Sequence, residues 1–194
     1  MKISRIHVVG LLLSLVFLAG YKSGKKEQTS LDTKYSTTAM KADFYQLLAQ
    51  IEKNHPALYD FTSKDAYQAV VRQQFEKIRD SATVTDFYKI LLPLVVKIGC
   101  GHSELWLPQW VWKDSTVGFL PLRLFIEKGK VYIVRNLSSD NSVKMAMEVI
   151  GINGIKISDL LDTMYSFVST DGNNVSAKRD YLNTIVQWTI GHCP

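Results

Sequence analysis

The sequence changes character over residues 97–107, which read KIGCGHSELWL. An apolar helical pattern ends at Gly99, and an alternation of polar and apolar residues begins at Glu104. Glycines on both sides of Cys100 permit backbone angles that other residues avoid. The stretch therefore predicts a junction between helices and a sheet, with His102 held in an exposed turn.

The polar side chains of this junction allow two interpretations. His102 can act as a general base near neutral pH, or it can be a turn residue that hydrogen-bonds to nearby backbone. If the segment is extended, Cys100, His102 and Glu104 share one face and could bind a metal or form a Cys–His nucleophile pair. The glycines favour a turn, so we predict no metal site and no cofactor. Ser103 lacks the surroundings of a nucleophile elbow and is predicted to be a turn hydroxyl.

Three helices are predicted before the junction. The first carries apolar residues spaced by three and four positions: Phe44, Leu47, Leu48 and Ile51. His55 lies at its end, where a positive charge favours the last carbonyls. Capping boxes predict the starts of the other two helices at residues 62–65 and 83–86. We expect one three-helix bundle over residues 39–101.

After the junction the pattern becomes that of strands. The predicted strands cover residues 104–107, 119–126, 131–135, 148–152 and 155–157. The dipeptide Asn153-Gly154 is the strongest turn signal and predicts a hairpin between the last two. Helices are predicted over residues 158–168 and 175–190. The fold class is therefore α+β.

Composition fits a globular chain: 46% of the 194 residues are hydrophobic and 21% are charged. Lys2 and Arg5 precede an apolar run over residues 8–19, so residues 1–20 are predicted to be an export signal. Residues 21–38 are polar and are predicted to be a tether. Without the two leader charges, 21 basic residues face 18 acidic ones. No basic and aromatic stripe is present, so nucleic acid is not an expected partner.

Four segments resemble the front half of the tail-specific (carboxyl-terminal processing) serine proteases, above all their tricorn-like branch. In family order they are residues 54–59 (NHPALY), 98–103 (IGCGHS), 148–154 (EVIGING) and 171–174 (DGNN). The resemblance implies a PDZ-like β-rich module over residues 102–174 after the bundle. It also implies that the helix over residues 175–194 is a truncated linker to a catalytic domain. Nothing in the 194 residues resembles that catalytic domain.

The resemblance also implies a set of site residues. In the tricorn-like branch a histidine at this junction is the general base for a serine of the later domain, which implies that role for His102. The PDZ-like module of the family binds the C-terminal end of a peptide or protein as an added strand. Gly118, Phe119 and Leu120 are, by position, its carboxylate-binding loop. The family usually has glycine near Ala146, so a positive φ there would strain the alanine.

The predicted function is the N-terminal, PDZ-like substrate-recognition part of an exported serine-type peptidase, inactive as this fragment. The alternative is a non-catalytic peptide-binding or adaptor protein of the cell envelope. Tyr21 stands where a bacterial lipoprotein signal needs cysteine, so lipidation is not implied. We expect a periplasmic or envelope location, with membrane contact only through an uncleaved leader. Only Cys100 and Cys193 are present, which allows at most one disulfide.

Overall fold

The computed structural model describes residues 30–114, 118 and 120–189, with side chains through residue 184. The predicted leader, the first half of the predicted tether, Phe119 and Cys193 lie outside the described residues. Within them the chain combines six helices with small antiparallel sheets, which is the predicted α+β class. None of the described helices has both the length and the apolar character needed to cross a membrane.

The first three helices are α1 (Thr37–Asn54), α2 (Lys64–Phe75) and α3 (Val84–Ile98). The predicted capping box of α3 is confirmed, since Thr83 and Asp86 each accept the other's backbone N–H. The cap predicted for α2 is shifted by one residue. Ser63 is its N-cap, and the Thr62 hydroxyl instead donates to the Lys97 carbonyl at the end of α3.

These three helices share one apolar core. Its most deeply buried members are Met40, Phe44, Tyr67, Leu94 and Ile98. Burial of each aliphatic or aromatic side chain of this size contributes about 1.5–3 kcal/mol. The periodic apolar residues predicted for α1 therefore do face a common interior, with Phe44, Leu47 and Ile51 buried.

A three-stranded antiparallel sheet follows, in the order β1 (Leu122–Glu127), β2 (Lys130–Asn136), β3 (Glu148–Val149). The predicted β1–β2 hairpin is confirmed. Its turn, Lys128-Gly129, has φ of 51° and 74°, as a two-residue type I′ turn requires.

The Asn153-Gly154 hairpin is also confirmed, but its strands are shorter than predicted. β4 (Gly151–Ile152) pairs with β5 (Ile155–Lys156) across φ values of 52° and 79°. The single strand predicted over residues 148–152 is divided, because β3 pairs with β2 and β4 pairs with β5.

The strand predicted over residues 104–107 is wrong. This segment has no ladder partner among the described residues and runs to the short helix α4 (Gln109–Trp112). It lies beside α3, where the Tyr88 hydroxyl donates to the Leu105 carbonyl. A helix bonds its own backbone groups internally, so its flank offers the segment side chains and no strand edge.

A second core lies between the sheet and the helices α5 (Ile157–Ser166) and α6 (Val175–Thr189). Its buried residues are Leu124, Ile126, Val131, Ile133, Leu161, Val168 and Leu182. The helix predicted as a linker, α6, contributes Leu182 to this core. Asn183 beside it is buried and bonds both backbone groups of Ile126 on β1, at 2.7 and 3.0 Å.

Ala146 has a left-handed backbone with φ of 68°. Its N–H donates to the Ile133 carbonyl on β2 at 2.7 Å, which holds the turn immediately before β3. A left-handed conformation costs a residue with a Cβ roughly 1–2 kcal/mol. The strain anticipated for an alanine here is therefore present.

We expect Ala146→Gly to raise the free energy of unfolding by about 0.5–1 kcal/mol, because relief of the strain exceeds the added entropy of the unfolded chain. Denaturant unfolding measures the change. Ala49→Gly, at an exposed position inside α1, is the matched control and should lower stability by about 0.5–1 kcal/mol. Equal losses in both variants would contradict this account.

Candidate functional site

The junction after α3 begins with Gly99, a position that does not accommodate a side chain. Gly99 caps the helix with φ of 72°, and a Cβ built on it would lie 2.9 Å from the Cβ of Phe61. Its carbonyl accepts the N–H of Gly172 at 2.9 Å. The end of the helical region is therefore joined directly to the segment between α5 and α6.

Two further hydrogen bonds join the turn to residues 169–172. The Ser169 hydroxyl donates to the Cys100 carbonyl at 2.9 Å, and the Gly101 N–H donates to Oδ1 of Asp171 at 2.8 Å. A Cβ on Gly101 would lie 3.5 Å from that carboxylate oxygen. That is an ordinary van der Waals distance, so the two segments are held together by these hydrogen bonds and not by the lack of a side chain at Gly101.

Three chemically reactive side chains converge on the outer face of this turn. Cys100, His102 and Asp171 each offer one potential ligand atom, and these atoms lie within 4.8 Å of one another. His102 and Asp171 are exposed, while Cys100 is half-buried. The sequence pointed to Cys100 and His102 but not to Asp171, which is distant in the chain and belongs to the second core's side of the junction.

Glu104, the third member of the set considered from the sequence, is directed elsewhere. Its Oε1 accepts the Tyr181 hydroxyl at 2.7 Å, and its Oε2 accepts Nε1–H of Trp106 at 3.0 Å. Burial together with the hydrogen bond to Glu104 raises the pKa of Tyr181, so the phenol stays protonated and keeps donating. Glu104 therefore links residue 104 to α6 and is not part of the Cys100–His102–Asp171 group.

Ser103 pairs with His55, a contact that sequence analysis did not find. Nδ1 of His55 accepts the Ala57 N–H at 3.2 Å, which places the proton of the neutral ring on Nε2. Nε2 lies 3.0 Å from Oγ of Ser103 and donates to it. In this tautomer the ring has no free lone pair for the serine proton, so the pair is not an activated nucleophile.

His55 was expected to carry a charge near the end of α1. The residue does cap that helix, and its backbone N–H donates to the Ile51 carbonyl. Burial, however, lowers the pKa of its imidazole, with Asp60 opposing the shift only in part. The neutral ring serves as a structural bridge across 48 residues to Ser103.

An open apolar groove of about 210 Å³ lies beside the junction. One wall is α3, the second is the segment around Trp106 and Trp112, and the third comes from α5 and α6. Both tryptophans are exposed. The groove offers an apolar ligand or a neighbouring protein segment a surface next to Ser103 and Glu104.

The predicted peptide-binding loop is separate from the junction. Gly118 and Leu120 are exposed and precede β1, while Phe119 lies outside the described residues. No described atom lies within 4 Å of a Cβ built on Gly118, so it does not contact His102. The structure thus places His102 with Cys100 and Asp171, and places Gly118 and Leu120 just before β1.

The neutral His55 makes stability depend on pH. The unfolded chain binds a proton at this residue near the ordinary pKa of 6.5, whereas the folded chain binds it only at lower pH. Its contribution to stability is therefore complete above pH 6.5 and is lost as the pH falls from there through the lower pKa of the folded chain. We expect His55→Gln, which keeps an N–H donor for Ser103, to flatten the loss between pH 7.5 and about 5.5.

Denaturant unfolding at several pH values checks this expectation. His102→Gln is the control, and it should retain the wild-type dependence because His55 remains. A His55→Gln curve parallel to the wild-type curve would show that this ring does not control the pH response.

Comparison with known proteins assigns no family to the chain. No protein-family model matches it, and no curated protein matches it significantly. Its function therefore has to be argued from the geometry of the junction and the sheet edge.

Proposed function

We propose that the chain is the N-terminal substrate-recognition part of an exported serine-type peptidase, and that these residues alone do not hydrolyse peptides. The observation that carries the proposal is the left-handed backbone of Ala146, with φ of 68°. The tail-specific proteases, which the chain resembles, usually have glycine near this position. The backbone conformation at Ala146 is thus one that glycine adopts without strain.

The order of elements supports the same proposal. Helices α1 to α3 share one core, and the β1–β2 hairpin, β3, the β4–β5 hairpin and α5 follow it. This is the order expected of a helical bundle followed by a PDZ-like module. The second core, which is built on this sheet, gives the proposed module its own apolar interior.

The outer edge of β1 is the proposed site for the peptide. Ile126 pairs with Val131 but directs its N–H and C=O away from β2, where the side-chain amide of Asn183 binds both. This amide makes the contacts that a residue of an added strand would make. Leu124, two residues earlier, faces the same way, because alternate residues of an antiparallel strand do so.

A bound peptide would place its C-terminal carboxylate near Gly118 and extend along β1 toward Ile126. Backbone hydrogen bonds supply the affinity in this mode of binding, and side-chain pockets supply the specificity. Asn183 limits the free edge to its first residues. A longer peptide has to displace this amide from Ile126.

We expect the chain to bind short peptides with apolar C-termini and not to cleave them. Isothermal titration measures binding, and mass spectrometry of the peptide after incubation measures cleavage. Gly118→Val should reduce affinity roughly tenfold, about 1.4 kcal/mol, by obstructing the approach of the carboxylate. This position has neither a positive φ nor a close described neighbour, so the fold should tolerate valine.

Ser139→Val, in an exposed bend beyond β2, is the matched control and should bind peptide as the wild type does. Equal affinities of Gly118→Val and wild type for the peptide would show that the loop is not part of the binding site. Cleavage abolished by Ser103→Ala or Cys100→Ala would overturn the non-catalytic assignment.

His102 is the proposed general base for a serine supplied by a catalytic domain. Its ring is exposed at the turn between the two cores, so a nucleophile from another domain can reach it. Ser103 cannot be that nucleophile, because the His55 ring donates to its oxygen.

When the chain is fused to the catalytic domain of a tail-specific protease, His102→Ala should lower kcat by roughly 10²- to 10⁴-fold, the usual contribution of a general base. The assay contains a metal chelator. Ser103→Ala is the control and should keep most of the activity. Full activity of His102→Ala would assign the base to the added domain.

A further inference from the structure

We propose that Cys100, His102 and Asp171 form a binding site for one Zn²⁺ ion, with a fourth position open to water or an external ligand. The proposal departs from the sequence-based expectation of no metal site. It concerns the affinity of these three side chains for a cation and not peptide binding at β1. A His102 ring nitrogen that binds Zn²⁺ cannot also accept a proton, so the general-base role proposed for His102 requires the metal-free state.

The mutual spacing of the three groups favours a central ion. Zinc bonds of 2.0–2.3 Å in a tetrahedral arrangement separate the ligand atoms by about 3.3–3.8 Å. The three atoms already lie within 4.8 Å of one another. Binding of an ion therefore requires the separations above this range to shorten by at most about 1–1.5 Å.

A catalytic relay would require a different arrangement. In a Cys–His–Asp triad the imidazole contacts the thiol with one nitrogen and the carboxylate with the other, so the ring stands between them. Here the thiol, one ring nitrogen and one carboxylate oxygen are mutually close. Convergence on a common point fits coordination better than it fits proton relay.

The backbone around the three ligands is held in place by bonds that do not use the ligand atoms of Cys100 or His102. Ser169 binds the Cys100 carbonyl, and the Gly101 N–H binds Oδ1 of Asp171. A carboxylate that accepts one backbone N–H retains lone pairs for a metal, and such outer contacts orient metal ligands.

The chemistry of the donors selects the ion. A thiolate with an imidazole and a carboxylate suits Zn²⁺, whereas Ca²⁺ and Mg²⁺ take oxygen ligands. The thiolate and the carboxylate together carry two negative charges, which balance the charge of Zn²⁺. The exposure of His102 and Asp171 gives the ion a path to the site.

Cobalt is the probe for the thiolate ligand, because Co²⁺ bound to sulfur gives a charge-transfer absorption band. We expect the purified, reduced chain to bind one Co²⁺ with this band, and added Zn²⁺ to abolish the band by displacement. Cys100→Ser should eliminate the band. His102→Gln and Asp171→Asn should each lower Zn²⁺ affinity at least tenfold in competition titrations.

Two variants are matched controls. Glu104→Gln alters the neighbouring carboxylate that is already bonded to Tyr181 and Trp106, and Cys193→Ser removes the other thiol. Both should bind Co²⁺ and Zn²⁺ as the wild type does. Asp171→Asn retains an oxygen acceptor for the Gly101 N–H, so its metal-free melting temperature should stay near that of the wild type.

The absence of a thiolate band in the wild type would overturn the proposal. A band that survives Cys100→Ser would overturn it as well, and so would Zn²⁺ affinity unchanged by both His102→Gln and Asp171→Asn. Failure of the zinc site would not bear on the peptide-binding proposal, because none of the three ligands belongs to β1 or to the predicted carboxylate-binding loop.

Discussion

The hydrogen-bonded contact between the turn after α3 and residues 169–172 is the constraint on which the rest of the structure depends. It joins the end of the helical core to the segment that connects α5 and α6. The contact requires glycine at position 99, because the backbone there is left-handed and a Cβ would lie 2.9 Å from the Cβ of Phe61. A residue with a side chain at position 99 would be strained and would displace Phe61.

In the turn held by this contact, the polar side chains have different partners. Ser103 faces the helical region and accepts from His55, while Cys100 and His102 face Asp171 across the junction. Glu104 continues toward α6. Neighbouring residues of one short segment thus have three sets of partners, and the hydroxyl is kept apart from the thiol and the exposed imidazole.

Local signals in the sequence predicted most of the helices and hairpins. The features that the sequence could not predict depend on contacts between residues distant in the chain. The Thr83 capping box and the Asn153-Gly154 turn depend on residues within a few positions, so they were predictable. The strand expected over residues 104–107 is not formed. Alternation of polar and apolar residues indicates which face of a strand would be buried, but it does not supply a second strand to pair with. Two contacts depend on chain segments that only the folded structure brings together. One is the pairing of His55 with Ser103. The other is the approach of Asp171, in place of the expected Glu104, to Cys100 and His102.

Helix α6 connects the sheet edge to the junction through three successive residues. Tyr181 donates to Glu104, Leu182 fills the second core, and Asn183 binds Ile126. Because the three residues belong to one helical turn, α6 cannot withdraw Asn183 from β1 without also moving Tyr181. A movement of α6 that withdrew this amide would therefore also act on the Tyr181–Glu104 bond and on the apolar groove beside it. The position of α6 thus influences both the outer edge of β1 and the side chain of Glu104.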